Sequence, residues 1–137
     1  PMLRERGLTC AVNAPAGVMM SCDPDKLQRV FDNLLRNAIN YSYENTEITI
    51  SLSVEGERAH VTFMNHGDTI PAAQLDRLFE QFYRLDSARQ SRTGGSGLGL
   101  AIAKEIVELH GGSISAQSVD NRIVFSVTLP LGDVRKS

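Results

Sequence analysis

The stretch Ile48-Thr49-Ile50-Ser51-Leu52-Ser53-Val54-Glu55-Gly56-Glu57-Arg58-Ala59-His60-Val61-Thr62-Phe63 decides the fold class. Apolar side chains fall on every second residue, at Ile48, Ile50, Leu52 and Val54 and again at Ala59, Val61 and Phe63. The break at Glu55-Gly56-Glu57 makes this a half-buried β-hairpin. A second alternating pair, Ser113 to Ser118 and Arg122 to Leu129, follows later in the chain. Hairpins join antiparallel neighbours, so a doubly wound parallel sheet is excluded.

Helical segments stand between the strands. Asp23 is a good N-cap, Pro24 suits the first helical position, and Asp25 favours the positive end of the helix dipole. From there Leu27, Val30, Phe31, Leu34, Leu35 and Ala38 recur at helical spacing, to about Tyr41. A second helix is predicted over Ala72 to Phe82, opened by Pro71, with Leu75, Leu78, Phe79 and Phe82 on one face. A third runs from about Gly97 to His110 and closes at Gly111-Gly112. Between them Leu85 to Ser96 reads as a long loop rich in Ser, Arg and Gly. At the start, Leu8 to Ser21 reads as two short strands around Asn13-Ala14-Pro15-Ala16-Gly17. The architecture expected is an α/β (α+β) two-layer sandwich, with one mixed, mostly antiparallel sheet covered on one face by three helices. The whole of residues 1–137 forms a single domain, ending in a polar tail over 131–137.

Composition narrows the function. Fourteen Lys and Arg against 16 Asp and Glu give a net charge of -2, which argues against nucleic acid or an anionic membrane as partner. No apolar run approaches the roughly 20 residues needed to span a bilayer, and no signal-peptide pattern opens the chain. Cys10 and Cys22 do not make a framework. A hairpin over Leu8 to Ser21 would place Cys10 opposite Ser21 and turn Cys22 to the other face, so reduced thiols are expected.

Three segments carry chemistry. Gly94-Gly95-Ser96-Gly97-Leu98-Gly99-Leu100 lies where a loop becomes a helix, a place where backbone N–H groups can approach an anion. It is neither a P-loop nor a Rossmann turn, and a flexible hinge is the plain alternative. Asn33 and Asn37 lie four residues apart on one helical face, away from the Leu27-Phe31-Leu34 stripe. Two amide oxygens there, with phosphate oxygens, would suit Mg²⁺; a solvated polar face is the alternative. Phe63-Met64-Asn65-His66-Gly67-Asp68-Thr69-Ile70-Pro71 leaves a strand and enters a helix, at the kind of strand end where ligands dock. It could equally be a plain turn, with Gly67 supplying special backbone angles.

Taken in order, these pieces resemble the ATP-binding catalytic domain of bacterial two-component sensor histidine kinases, in the GHKL/Bergerat superfamily, and within it the vancomycin-resistance sensor kinases. The motifs are Asp32-Asn33-Leu34-Leu35-Arg36-Asn37-Ala38 (N box), Asn65 to Pro71 (G1 box), Phe79-Glu80-Gln81-Phe82-Tyr83-Arg84 (F box) and Gly95 to Leu100 (G2 box), followed by His110-Gly111-Gly112. The resemblance implies the Bergerat ATP-binding fold and the cofactors ATP and Mg²⁺. It places Asn37 and Asn33 on the metal, Asn65 on adenine, Tyr41 against the base and Ile70 in the base pocket, with Gly67 in the G1 turn. Residues 85–96 become the lid. Gly95 stands in the G2 box; Gly97, Leu98 and Gly99 offer amides to phosphate, and Arg84 reaches the γ-phosphate. Arg89 and Arg92 are nearby cations that a solvated face explains as well. As catalytic residues the resemblance implies Arg84 and Asn33. Met2-Leu3-Arg4-Glu5-Arg6 looks like the end of a connection, over 1–7, from a dimerisation and phosphoacceptor domain. The implied partners are that domain and a response regulator, with the isolated domain monomeric. The implied location is the cytoplasmic side of an inner-membrane-anchored sensor.

Four positions depart from the family pattern. The usual G1 Asp is Asn65, whose amide can still accept from the adenine N6 amine and donate to N1. The second G1 glycine is Thr69, the N-box lysine position holds Asn40, and the usual Gly-Thr-x-Phe is Arg122-Ile123-Val124-Phe125. ATP-hydrolysing relatives carry a Glu general base where this chain has Asn33, which cannot take a proton, so hydrolysis should be slow. The histidines His60, His66 and His110 lie outside any phosphoacceptor box, and His110 is expected to interact with its own helix C-terminus. Two rivals remain: an ATP-dependent clamp or chaperone ATPase of the same fold, and a non-catalytic nucleotide-sensing module.

Overall fold

The computed structural model describes residues 7–14, 23–80 and 99–131. Five strands form one sheet: β1 (Thr9–Asn13), β2 (Glu47–Glu55), β3 (Arg58–His66), β4 (Ser113–Val119) and β5 (Arg122–Pro130), in the order β1-β2-β3-β5-β4. β1 pairs with β2 in parallel, and every other pairing is antiparallel. Helices α1 (Pro24–Tyr41), α2 (Ala72–Leu75) and α3 (Gly99–Leu109) pack on one face, giving the two-layer α+β sandwich expected.

The central strands show why this face is covered. On β3 Ala59, Val61, Phe63 and Asn65 are buried, and on β5 Ile123, Phe125, Val127 and Leu129 are buried, while the residues between them are half-buried. That is the period-two alternation of a sheet with one packed face. α1 lays Leu27, Val30 and Leu34 onto it, and α3 adds Ala103, Ile106 and Val107. Phe31 meets Phe63 at 6.2 Å between ring centres.

Helix α1 begins as expected: Asp23 is extended, and its Oδ1 accepts from the Lys26 backbone N–H at 3.2 Å. His110, just beyond α3, faces Ile106 O through Nδ1 at 2.9 Å, and its Nε2 accepts from the Asp23 N–H at 3.1 Å. Both contacts are made by the neutral ring with its proton on Nδ1. The bond ties the end of α3 to the start of α1.

Two expectations need correction, and a third falls partly outside the described residues. The helix over Ala72 to Phe82 is one α-helical turn, Ala72–Leu75, tightened into a 3₁₀ turn over Asp76–Phe79, and Glu80 is already extended. The tight turn buries Leu78 and sets Phe79 edge-on to Phe125, with ring centres 5.9 Å apart. On its described side β1 pairs with β2, with Cys10 opposite Ile48; the second strand of the expected hairpin, with Ser21 and Cys22, lies in residues 15–22, outside the described residues. Strand β3 also runs past Phe63 to His66, which makes Asn65 a strand residue rather than part of a turn.

Candidate functional site

The site is built where α1 and β3 end side by side. Continuing the alternation of Ala59, Val61 and Phe63 by one step turns Asn65 inward, and it is 0% exposed. Neither Oδ1 nor Nδ2 of Asn65 has a hydrogen-bond partner. Its cross-strand neighbour on β5 is Ile123, buried at 1% exposure and unable to donate or accept. The Ile123 departure therefore leaves this amide with nothing on the adjoining strand to satisfy it. A buried amide left unpaired costs about 1–3 kcal/mol, so its retention asks for a ligand that offers one donor and one acceptor.

Two more amides follow on α1. Asn37 has a buried, unpaired Nδ2, and Asn40 is buried with an unpaired Oδ1. Asn37 was expected to point out of the core; it is instead half-buried, with its amide nitrogen shielded from solvent. Asn33, one turn earlier, donates from Nδ2 to Gly99 O at 3.1 Å, which joins α1 to the first residue of α3. Its Oδ1 takes no part in that bond.

The loop between β3 and α2 closes the site. Gly67 was a candidate for special backbone angles, but it is absent from the positive-φ residues. A Cβ at Gly67 would collide with the Tyr41 carbonyl oxygen and come within 3.2 Å of Asn65 Nδ2. Close approach of two chain segments, not φ, requires glycine here. Tyr41 and Ile70 are buried, at 8% and 5% exposure, and both belong to the core cluster beside this loop. The far side of the loop is held with the help of Tyr43, Ser118 and Asn121, which sequence reasoning did not single out. Tyr43 donates its hydroxyl to Asp68 Oδ1 at 2.7 Å, and Ser118, Thr69 and Asn121 bond across to the β4–β5 turn. A partner 52 residues away in sequence leaves no local signal.

Of the residues expected at the site, Asn33, Asn37 and Tyr41 lie on α1, Asn65 at the end of β3, Gly67 and Ile70 in the loop after it, and Gly99 at the start of α3. Arg84, Gly95, Gly97, Leu98 and the lid over 85–96 lie outside the described residues. Among the described residues no group of three or more His, Cys, Asp or Glu could hold a metal. Cys10 is free and exposed; partial burial and then the Glu47 carboxylate push its thiol pKa up, which makes it a poor nucleophile. Among the described residues no helix is long and apolar enough to cross a membrane.

A strand-end amide with both atoms unpaired, beside a helix carrying further buried amides, is a set of unmet hydrogen bonds that a ligand can satisfy. Residues 22–133 match the family described as histidine kinase-, DNA gyrase B-, and HSP90-like ATPase, and the chain belongs to that family. It is 49% identical over 130 residues to the sensor protein VanSC of Enterococcus gallinarum, across 95% of this chain and 36% of that protein. Against the sensor protein VanS of Enterococcus faecium it is 49% identical over 141 residues, again spanning 36% of the relative. The chain thus spans about a third of the length of these curated relatives. The catalytic domain of histidine kinase ThkA superposes with a TM-score of 0.81 at 28% identity, covering 93% of this chain and 82% of that one.

Proposed function

We propose that this chain is the catalytic region of a sensor histidine kinase, binding Mg·ATP and passing its γ-phosphoryl group to a histidine on a separate dimerisation domain. The observation that carries the reading is Asn65, fully buried with both amide atoms unpaired. Adenine offers the complementary edge: its N6 amine donates to Oδ1 and its N1 accepts from Nδ2, whereas the 6-oxo group of guanine meets the wrong partner. Tyr41 and Ile70 supply the apolar walls.

Asn33 and Asn37 would hold Mg²⁺ through their amide oxygens. The ion, when bound, would neutralise charge on the triphosphate. Arg84, carried over from the family resemblance, would stabilise charge on the transferring group, and the amides of Gly97, Leu98 and Gly99 would cradle phosphate. In the transfer, the bond from phosphorus to the β–γ bridging oxygen breaks and a bond to the acceptor's ring nitrogen forms. ADP leaves with the bridging oxygen, and the ring proton passes to solvent. Asn33 cannot act as a base, and its amide nitrogen is committed to Gly99 O, which supports kinase chemistry over the clamp-type ATPase reading.

The partners follow from that chemistry: the chain's own phosphoacceptor domain, and a response regulator, as ThkA has been solved in complex with the response regulator TrrA. The location proposed is the cytoplasmic side of a membrane-anchored sensor, where ATP is found. Calorimetric titration of ATP with and without Mg²⁺ tests the reading. ATP should bind more tightly with the metal, and Asn37→Ala should remove that advantage while leaving metal-free ATP near the parental affinity. Equal losses in both conditions would reject the metal role, and no ATP binding by the parent would reject the function.

A further inference from the structure

The loop that carries Ile70 away from Asn65 is held by a set of bonds to which the departure at Thr69 adds two. The Thr69 hydroxyl accepts from the Asn121 N–H at 2.8 Å and donates to Asn121 Oδ1 at 3.2 Å, so its proton and a lone pair are both used. Gly67 N–H donates to Asn121 O at 3.0 Å. Ile70 N–H donates to Ser118 Oγ at 2.9 Å, and that hydroxyl donates onward to Arg122 O at 2.9 Å. The receiving turn is built for this: Asp120 and Asn121 both adopt positive φ, 53° and 60°, the paired left-handed conformation of a tight two-residue hairpin that Asp and Asn tolerate. Tyr43 holds the same loop from the opposite side through Asp68.

We propose that Thr69 and Asn121 form a clasp that makes the β4–β5 turn a positioning element for nucleotide recognition. The proposal rests on the adenine-reading role given to Asn65 and deepens it. Asn65 sits in the rigid sheet and Ile70 in a loop, so the width of the base pocket depends on where the loop lies relative to β3. A glycine at position 69 has no side chain to bond with, and its loop would keep only the Gly67, Asp68 and Ile70 bonds, with more freedom to shift. The threonine hydroxyl fastens the loop to a turn whose next strand, β5, pairs with β3 directly. Both walls of the pocket are thereby referenced to one sheet, and adenine selectivity follows from that fixed spacing. Thr69 and Asn121 act through Asn65 and Ile70 and are positioning residues.

The test uses the full 137-residue chain. Thr69→Val keeps the shape and removes the hydroxyl; Thr69→Ser keeps the hydroxyl. For each, ATP and GTP dissociation constants are titrated, thermal unfolding is recorded, and hydrogen exchange is followed at the Gly67 and Ile70 amides. Losing the hydroxyl's bonds should weaken ATP binding about five- to tenfold. The ATP-over-GTP preference should fall and the two amides should exchange faster, while Thr69→Ser stays within about twofold of the parent. Asn121→Gly retains the positive φ and the turn's backbone groups but loses Oδ1, so it gives a smaller drop in the same direction and serves if Thr69→Val does not fold. Variants that melt earlier but keep the parental ATP affinity and ATP:GTP ratio overturn the clasp and leave the nucleotide reading standing. A parent that binds no adenine nucleotide removes both.

Discussion

The two halves of the α1–sheet interface are built for opposite ends. Under the N-terminal half of α1 lies an open groove of about 570 Å³, lined by Leu27, Phe31, Ile50, Val61, Phe63 and other apolar residues, with Gln28 and Asp32 among its few polar members. Under the C-terminal half the same helix and the same strand present Asn37, Asn40 and Asn65, whose buried amide atoms are unpaired. The groove has room but little with which to orient a ligand. The amide end has unmet hydrogen bonds, which specify a ligand's donors and acceptors. Polar debt rather than empty volume locates the site.

Truncation at the apolar end should cost stability without touching nucleotide recognition. Leu27→Ala, at a residue only 5% exposed, should lose about 2–3 kcal/mol in denaturant unfolding. That is the lower part of the usual range, because the groove already leaves this side chain fewer neighbours. ATP affinity measured well below the melting transition should be unchanged; a parallel loss of affinity would mean the two halves are coupled. Asn65→Leu should do the reverse. Replacing two unpaired buried atoms by an apolar side chain of similar reach should stabilise the nucleotide-free domain by about 1–2 kcal/mol. The ATP-over-GTP preference should vanish. A destabilised Asn65→Leu would show that the amide is satisfied in solution and would blunt the contrast.

How much of this was legible depended on whether the signal was local. The alternation at Ile48 to Phe63 and the Asp23-Pro24 start of α1 are consequences of pleat and capping, so the sandwich followed from them. The same period-two rule, carried one residue pair further, would also have put Asn65 inside the sheet; the following Gly67 suggested a turn too early. The 3₁₀ turn at Asp76–Phe79 was not legible, because Leu75, Leu78 and Phe79 fit an α-helical face equally well and packing on Phe125 decides between them. The parallel pairing of β1 with β2 and the Thr69–Asn121 bonds join distant segments and leave no spacing to read. Asn33 and Asn37 were legible as a shared face, but the bond from Asn33 to Gly99 depends on how α3 packs against α1.

The smallest effect expected is at the very start of α1, and it sharpens the contrast because it perturbs the apolar end without making a cavity. Asp23 contributes two separable bonds: its side chain caps the helix through Lys26 N–H, and its backbone N–H reaches His110 Nε2. Asp23→Ala deletes the first and keeps the second. Loss of the cap should cost about 1 kcal/mol, since one helix N–H returns to water and the charge at the dipole's positive end is lost. The bond to His110 keeps the helix start in register with α3, so Asn33 and Asn37, three and four turns along, should stay in place. Chemical denaturation should therefore report the loss, while the Mg²⁺ dependence of ATP binding matches the parent. If that dependence weakens in Asp23→Ala, the start of α1 sets the position of its amide face, and the two ends of the helix are not independent.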